Sequence, residues 1–391
     1  VDVRRLLVLL LLLPLAPARA QASSPMAGAQ SVLDARVAAL HDGDRAAFLA
    51  TIDPQAPEHF KEAQGRLFDG LRSLPLASYT LEARTFDSGD LAPGPAFLPE
   101  TRQRMRLAGY DAVDAVDSLW LTFVRRDDRW YIAADDDVSA LGIDTARGLW
   151  DFGPVVAQST DHFLLLSHPE QVERVKALGA IAEQAVAILG QRWTQPWPGR
   201  IPLVLPGSIE ELAAILQSTV DLTKFVAFVS YGAVRDNGFE PTAPRVYIQD
   251  RNLAKYSNRF QTETLVHELD HAAVAPLSGP FIPAWVHEGV ADWVAEGQRV
   301  NERRPSGAGA HMPRDFEFSI GSQESIIRSY GSSRSGMSVL AARKGKAVPG
   351  EFIKALGEAR VAAGSVDYQV DSALRRVAGL GLADLESTWA G

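Results

Sequence analysis

TETLVHELDHAAVA, residues 262–275, carries the strongest chemical signal in the chain. Within it His267-Glu268-Leu269-Asp270-His271 forms an H-E-x-x-H pattern. Spacing i, i+4 puts both imidazoles on one face of a helix, one turn apart, where they can grip a single ion. Glu268 lies ~100° around the helix from His267. It can address a water on that ion but cannot be a third ligand from the same face. Leu265, Val266, Leu269, Ala272 and Ala273 supply the buried side, and Pro276 ends the helix. Asp270 adds negative charge beside a ligand and reads as a salt-bridge partner or as an exposed residue.

A second segment, PAWVHEGVADW (residues 283–293), opens with a proline at a helix-starting position and offers Glu288 and Asp292 at i, i+4. A catalytic zinc needs three protein ligands and an open water position. His267, His271 and Glu288 supply two neutral nitrogens and one carboxylate, so one Zn2+ per chain is expected. Asp292 can accept a hydrogen bond from the free ring nitrogen of a ligand histidine and fix its tautomer. His287, beside Glu288, points elsewhere on its helix, toward the site's surroundings or the surface. The long form H-E-x-x-H-x-x-G-x-x-H would need Gly at 274 and His at 277, where this chain has Val274 and Leu277. Sixteen residues, three prolines among them, separate His271 from Glu288 and turn the second helix back across the metal.

Upstream, Phe163–Leu166 and Ile201–Leu205 read as strands, with helices over Glu170–Leu189 and Ile209–Gln217. Val246–Ile248 reads as a short strand that could serve as the edge for an extended peptide. Gly190, Gly232 and Gly331 read as turn glycines. Beyond the histidine segment the pattern is mainly helical. Nearer the start, Val32, Leu33, Val37, Leu40, Ala47 and Phe48 make a helical stripe broken at His41–Asp44. Strands are expected over Tyr79–Phe86, Arg102–Leu107, Ser118–Val124 and Trp130–Ala134, the last two joined by a hairpin turn at Arg125–Arg129. Helices followed by a curled antiparallel sheet make the class α+β. The polar segment 139–155 reads as a linker, and the Asp135–Asp137 cluster as a solvated strand end.

The chain has 391 residues, 46% hydrophobic, enough for two domains with packed cores. It carries 39 basic and 48 acidic residues, with no basic run longer than two, which gives no electrostatic case for nucleic-acid binding. Without cysteine, disulfides, thiolate nucleophiles and cysteine-based zinc sites are excluded. Arg4-Arg5, the apolar run Leu6–Leu13 and the ending Ala18-Arg19-Ala20 have the three parts of a secretory signal peptide. Cleavage is expected after Ala20, giving a secreted or extracytoplasmic protein with no stable membrane span. Neither a phosphate-binding loop nor a G-x-S-x-G motif appears, and His41, His59, His162, His168 and His311 lack metal-like spacing.

The paired segments resemble the gluzincin zinc metallopeptidases, most closely the small peptidase-MA-like branch with its HEL.H…P.W..EG.A signature. The resemblance covers residues 156–391. It continues in a helix bearing an aromatic at Ser329-Tyr330, a helix at Phe352–Leu356 and the ending Leu380–Trp389. It implies a mainly helical, thermolysin-like catalytic domain with a small sheet, and a peptide or protein substrate. In that setting Tyr330 matches a helper tyrosine, with a core aromatic as the alternative, and Arg334 could contact a substrate carboxylate. ALHDGDRAAFLATID (39–53) and WLTFVRRDDRWYIA (120–133) resemble the NTF2-like cone. The expected organisation is therefore a signal peptide (1–20), a linker (21–30), an NTF2-like accessory domain (31–138), a linker (139–155) and a gluzincin domain (156–391). The function this implies is zinc-dependent peptide hydrolysis with Glu268 as general base. A catalytically silent relative that binds peptide or cell-wall material is the alternative. Sequence leaves the oligomeric state open.

Overall fold

The computed structural model describes residues 24–85, 96–233, 241–279, 281–297, 311–358 and 364–390. The expected signal peptide and the end of the Tyr79–Phe86 strand lie outside them. Helix α1 (Pro25–Asp42) begins where Ser24 accepts the amide of Ala27, inside the stretch read as a linker. It stops at Gly43, whose φ of 74° suits glycine and returns its amide to Leu40. Asp44 then caps α2 (Arg45–Leu49), which explains the break in the apolar stripe. After α3 (Glu58–Arg72), the strands β1 (Leu76–Arg84), β2 (Glu100–Leu107) and β3 (Ala115–Trp120) form an antiparallel sheet in that order.

The expected strand Ser118–Val124 is two strands. β3 ends at Trp120 and β4 (Thr122–Arg126) pairs with β5 (Arg129–Ala134) in a separate hairpin. The split follows from packing. Trp120 lies with Leu98 and Val138, whereas Leu121 and Phe123 pack with Ile52, Phe60 and Ile132. The hairpin turn is Asp127-Asp128, with φ of 44° and 65°, the two left-handed residues of a tight two-residue loop. At the strand end Asp136 and Asp137 are exposed, as expected, whereas Asp135 is buried and ion-paired with Arg147.

The rest of the chain is built on a five-stranded sheet. Its strands are β6 (Val156–Ser159), β7 (Phe163–Ser167), β8 (Ile201–Leu205), β9 (Ala227–Ala233) and β10 (Pro241–Ile248), in the order β6-β7-β8-β10-β9. β7, β8 and β10 are parallel, with antiparallel strands at both edges. α4 (Val172–Arg192) makes the crossover from β7 to β8, and α5 (Ile209–Leu216) follows β8. Then come α6 (Asp250–Leu253), α7 (Asn258–Val274), α8 (Ala284–Glu296), α9 (Gln323–Lys344), α10 (Val348–Gly357), α11 (Val366–Ala378) and α12 (Leu382–Ala390). The whole is α+β, as expected. Val246–Ile248 belongs to β10, which is interior, so the expected edge is not there; the edge strands are β6 and β9. Gly232 lies in β9, Gly190 in α4 and Gly331 in α9, so none of the three is a turn glycine.

Every residue of β7 and of β8 is buried, the mark of strands covered on both faces. Phe163, Leu165, Ile201, Leu203, Leu205, Val246 and Ile248 face the helical core. Leu164, Leu166 and Val204 face the other way, into a cluster with Phe48, Phe68, Leu107 and Tyr110. Described residues between Ala39 and Tyr110 thus supply the second cover of the sheet. Segment 139–155 is part of that cover, because Leu149 and Trp150 are buried in the same cluster. Gly70 lets Trp150 in, since a Cβ there would stand 2.7 Å from that of Trp150. Across the junction, buried Asp111 holds Arg245 of β10 by two 2.8 Å hydrogen bonds.

A fragment of residues 156–391 should therefore expose Leu164, Leu166 and Val204, at roughly 1.5–3 kcal/mol each. We expect it to aggregate or bind hydrophobic dye and to lack a cooperative melt, whereas the full chain melts cooperatively. A monomeric fragment with the full chain's midpoint would contradict this two-sided burial.

Candidate metal centre

The histidine helix α7 starts at Ser257, whose hydroxyl accepts the Phe260 amide at 3.4 Å. Leu265, Val266, Leu269, Ala272 and Ala273 are all at most 1% exposed, so packing fixes the rotation of the helix. That rotation brings the His267 and His271 rings to 4.7 Å, edge to face, with their Nε2 atoms 3.1 Å apart. α8 returns antiparallel neighbours to this face, and Glu288 Oε2 lies 3.2 Å from His267 Nε2 and 3.5 Å from His271 Nε2. The three ligand atoms lie within 4.8 Å of one another. Asp292, one turn after Glu288, sits 2.8 Å from His267 Nδ1.

The proton arithmetic of this cluster is decisive. If His267 donates from Nδ1 to Asp292, its Nε2 presents a lone pair. Glu288 Oε2 is buried and has no hydrogen-bond partner among the described residues. Lone pairs facing one another at 3.1–3.5 Å repel unless a proton or a cation sits between them. Two imidazole nitrogens and a carboxylate oxygen are the donor set of a catalytic zinc site, so the residues fit that ion.

The titration behaviour agrees. Burial opposes charge on His267, but Asp292 and Glu288 outweigh it and raise its pKa well above the ordinary 6.5. Burial likewise opposes charge on His271, and Glu288 reverses the outcome. For Glu288, burial pushes upward while His271 and His267 win and hold the carboxyl far below its usual range. The metal-free centre thus stores positive charge as protons. Its raised histidines stabilise the fold fully below pH ~6.5, and that contribution fades as pH rises through their folded values.

Glu268 is 6% exposed, and burial raises its pKa against the pull of the two histidines. The Tyr330 ring, on α9, is 6.3 Å from the His267 ring and packs edge-on against Phe318 at 5.3 Å. Burial, then Glu288, Asp292 and Glu268, raise its pKa well above 10, so the phenol keeps its proton. Tyr330 is therefore both a packed aromatic and a neighbour of the cluster. His287 lies 6.5 Å from His271, ring to ring, and burial pushes it down to about 4, leaving it neutral. Arg334 is ion-paired with Glu296.

Asp270 is not exposed, and among the described residues it has no salt bridge. It is 0% exposed, both its oxygens lack hydrogen-bond partners among the described residues, and burial raises it to about 7. Sequence reasoning missed Tyr231 altogether. On β9, its hydroxyl donates to the His271 carbonyl at 3.0 Å. The alternation Ala227, Val229, Tyr231 was the available signal. No protein-family model matches the chain, and no curated protein matches it.

Gly289, next to Glu288, has a packing reason. A Cβ there would stand 2.7 Å from the Ser333 carbonyl oxygen of α9. Gly289→Ala should force the two helices apart at about 1–3 kcal/mol, measured by urea denaturation, and weaken metal binding with it. If zinc is the ion held here, it must displace the stored protons. Calorimetry at pH 7 in buffers of different ionisation enthalpy should show net proton release on zinc binding, and affinity should rise with pH.

Proposed function

We propose that the chain is an exported zinc-dependent peptidase of the gluzincin type, with an NTF2-like N-terminal unit. The observation that carries this reading is the convergence of Glu288 Oε2 with two imidazole nitrogens at 3.2 and 3.5 Å, inside the H-E-x-x-H…E pattern. The leader-like residues 1–20 support export. Three α-helices leading into a β1-β2-β3 antiparallel sheet support the NTF2-like likeness.

His267, His271 and Glu288 would hold the ion, which when bound supplies Lewis acidity for a water and a scissile carbonyl. Glu268 takes the proton from the attacking water. Its raised pKa suits a group that must accept a proton and then hand it to the leaving amine. Asp292 holds the His267 ring in the tautomer that presents Nε2. The Tyr330 phenol, protonated at neutral pH, can donate to the oxyanion that develops on the carbonyl. Among the described residues β9 pairs on one side only, with β10, and its other edge can take an extended peptide by main-chain hydrogen bonds. That mode of binding tolerates many side chains, which fits a peptide or protein substrate.

Glu268→Gln tests the reading. It should retain about one zinc per chain and lose about 10²–10⁴-fold in kcat/KM on a mixed peptide library. Glu288→Ala should lose the metal and the activity together. A wild-type protein that binds zinc yet cleaves nothing would favour the silent peptide-binding relative.

A further inference from the structure

We propose that Tyr231 is a positioning residue for the metal centre, and that the N-terminal unit sets its place through a bulge in β10. The inference rests on reading the cluster as a zinc site. Gly232 pairs with Thr242 and Ser230 with Arg245, so Tyr231 alone stands opposite two residues, Ala243 and Pro244. Ala243 has a φ of 47°, and Pro244 has no amide to donate. This is a β-bulge, a device that re-aims side chains beside functional sites.

The bulge is held from outside the sheet. The Arg245 guanidinium donates to the carbonyls of Ala243 at 2.8 Å and Pro244 at 3.3 Å. The same guanidinium donates to both carboxylate oxygens of Asp111, whose side chain is 0% exposed and also accepts the Leu107 amide at 2.7 Å. On the other flank, the Thr242 hydroxyl donates to the Gly232 carbonyl at 2.6 Å. The backbone on either side of Tyr231's partner position is therefore tied, and one of the ties comes from the N-terminal unit.

Tyr231 continues the face of Ala227 and Val229, which pack on the helical core. Its hydroxyl reaches the His271 carbonyl at 3.0 Å. That carbonyl already accepts the Ala275 amide at the end of α7. The helix does not need the phenol to satisfy its backbone. What the second bond adds is a fixed position for the main chain of a ligand residue, and hence for the imidazole it carries. The chain of contacts runs from Asp111 to Arg245, through the bulge to Tyr231, and on to His271.

The test uses the full chain, zinc competition against a chromophoric chelator, and the visible spectrum of the cobalt-substituted protein. Tyr231→Phe should keep its thermal midpoint, weaken zinc binding by about tenfold and alter the cobalt spectrum. Asp111→Asn should weaken zinc binding as well, and the double variant should lose no more than the larger single loss. Arg245→Lys takes the place of Asp111→Asn if that variant does not fold. Wild-type zinc affinity and an unchanged cobalt spectrum in Tyr231→Phe would overturn the positioning role while leaving the zinc reading intact. Additive losses in the double variant would overturn the link to the N-terminal unit. A wild-type chain that binds no zinc would overturn both the zinc reading and this inference.

Discussion

Strands β7 and β8 are apolar on both faces, and the rest of the molecule is arranged to keep water off each of them. Phe163, Leu165, Leu203 and Leu205 require a helical layer, which α4 and α7 supply. Leu164, Leu166 and Val204 require a second layer, and Phe68, Leu107, Leu149 and Trp150 supply that. At roughly 1.5–3 kcal/mol per large side chain, losing either cover would consume much of the ~5–15 kcal/mol by which a domain is stable. The histidine helix is thus not free to rotate. Its buried side is claimed by the sheet and α4, so His267 and His271 are left facing α8.

Against that rigid background, the centre concentrates titratable groups in a buried space. Asp292 orients one imidazole, and Glu288 Oε2 approaches both at 3.2 and 3.5 Å. A protein that needed only a helix–helix contact here would do at least as well with apolar side chains, because burying even paired charges carries a desolvation cost. Protons relieve the cluster in part, which is why both histidines are raised and Glu288 is lowered. A divalent cation held by the proposed ligands would take the place of those protons, and Gly289 keeps α9 close enough for Tyr330 to border the same space.

What the sequence made legible followed the strength of local signals. The i, i+4 histidines, the proline before α8 and the Glu288/Asp292 pair are contacts made within or between adjacent helices, and the structure brings these residues together. The runs at Phe163 and Ile201 were equally clear, since continuous apolar residues need two covers. The misses all depend on distant partners. β9 was hidden because Ser230 and Gly232 look like turn residues, and only pairing with a bulged β10 makes them a strand. Asp270 read as a salt-bridge partner or as an exposed residue, but the rotation imposed by its leucine neighbours buries it. Trp120 and Leu121 read as one strand because nothing local announces that they pack in different clusters.

The buried pair between Asp111 and Arg245 bears on what the N-terminal unit is for. Covering the sheet could be left to apolar residues, which would be at least as stabilising as a desolvated ion pair. An apolar cover, however, tolerates sliding, whereas a shift of β10 by one residue would turn Arg245 to the opposite face and strand both charges. The pair therefore makes one register of β10 far better than its neighbours. Because β10 carries β9 beside it, that choice also sets where the free edge of the sheet lies relative to α7. A unit joined only through a polar linker could not impose such a constraint. Leu149 and Trp150, packed into the shared cluster, remove the freedom a linker would have left. The N-terminal unit is accordingly part of the frame that holds the candidate centre.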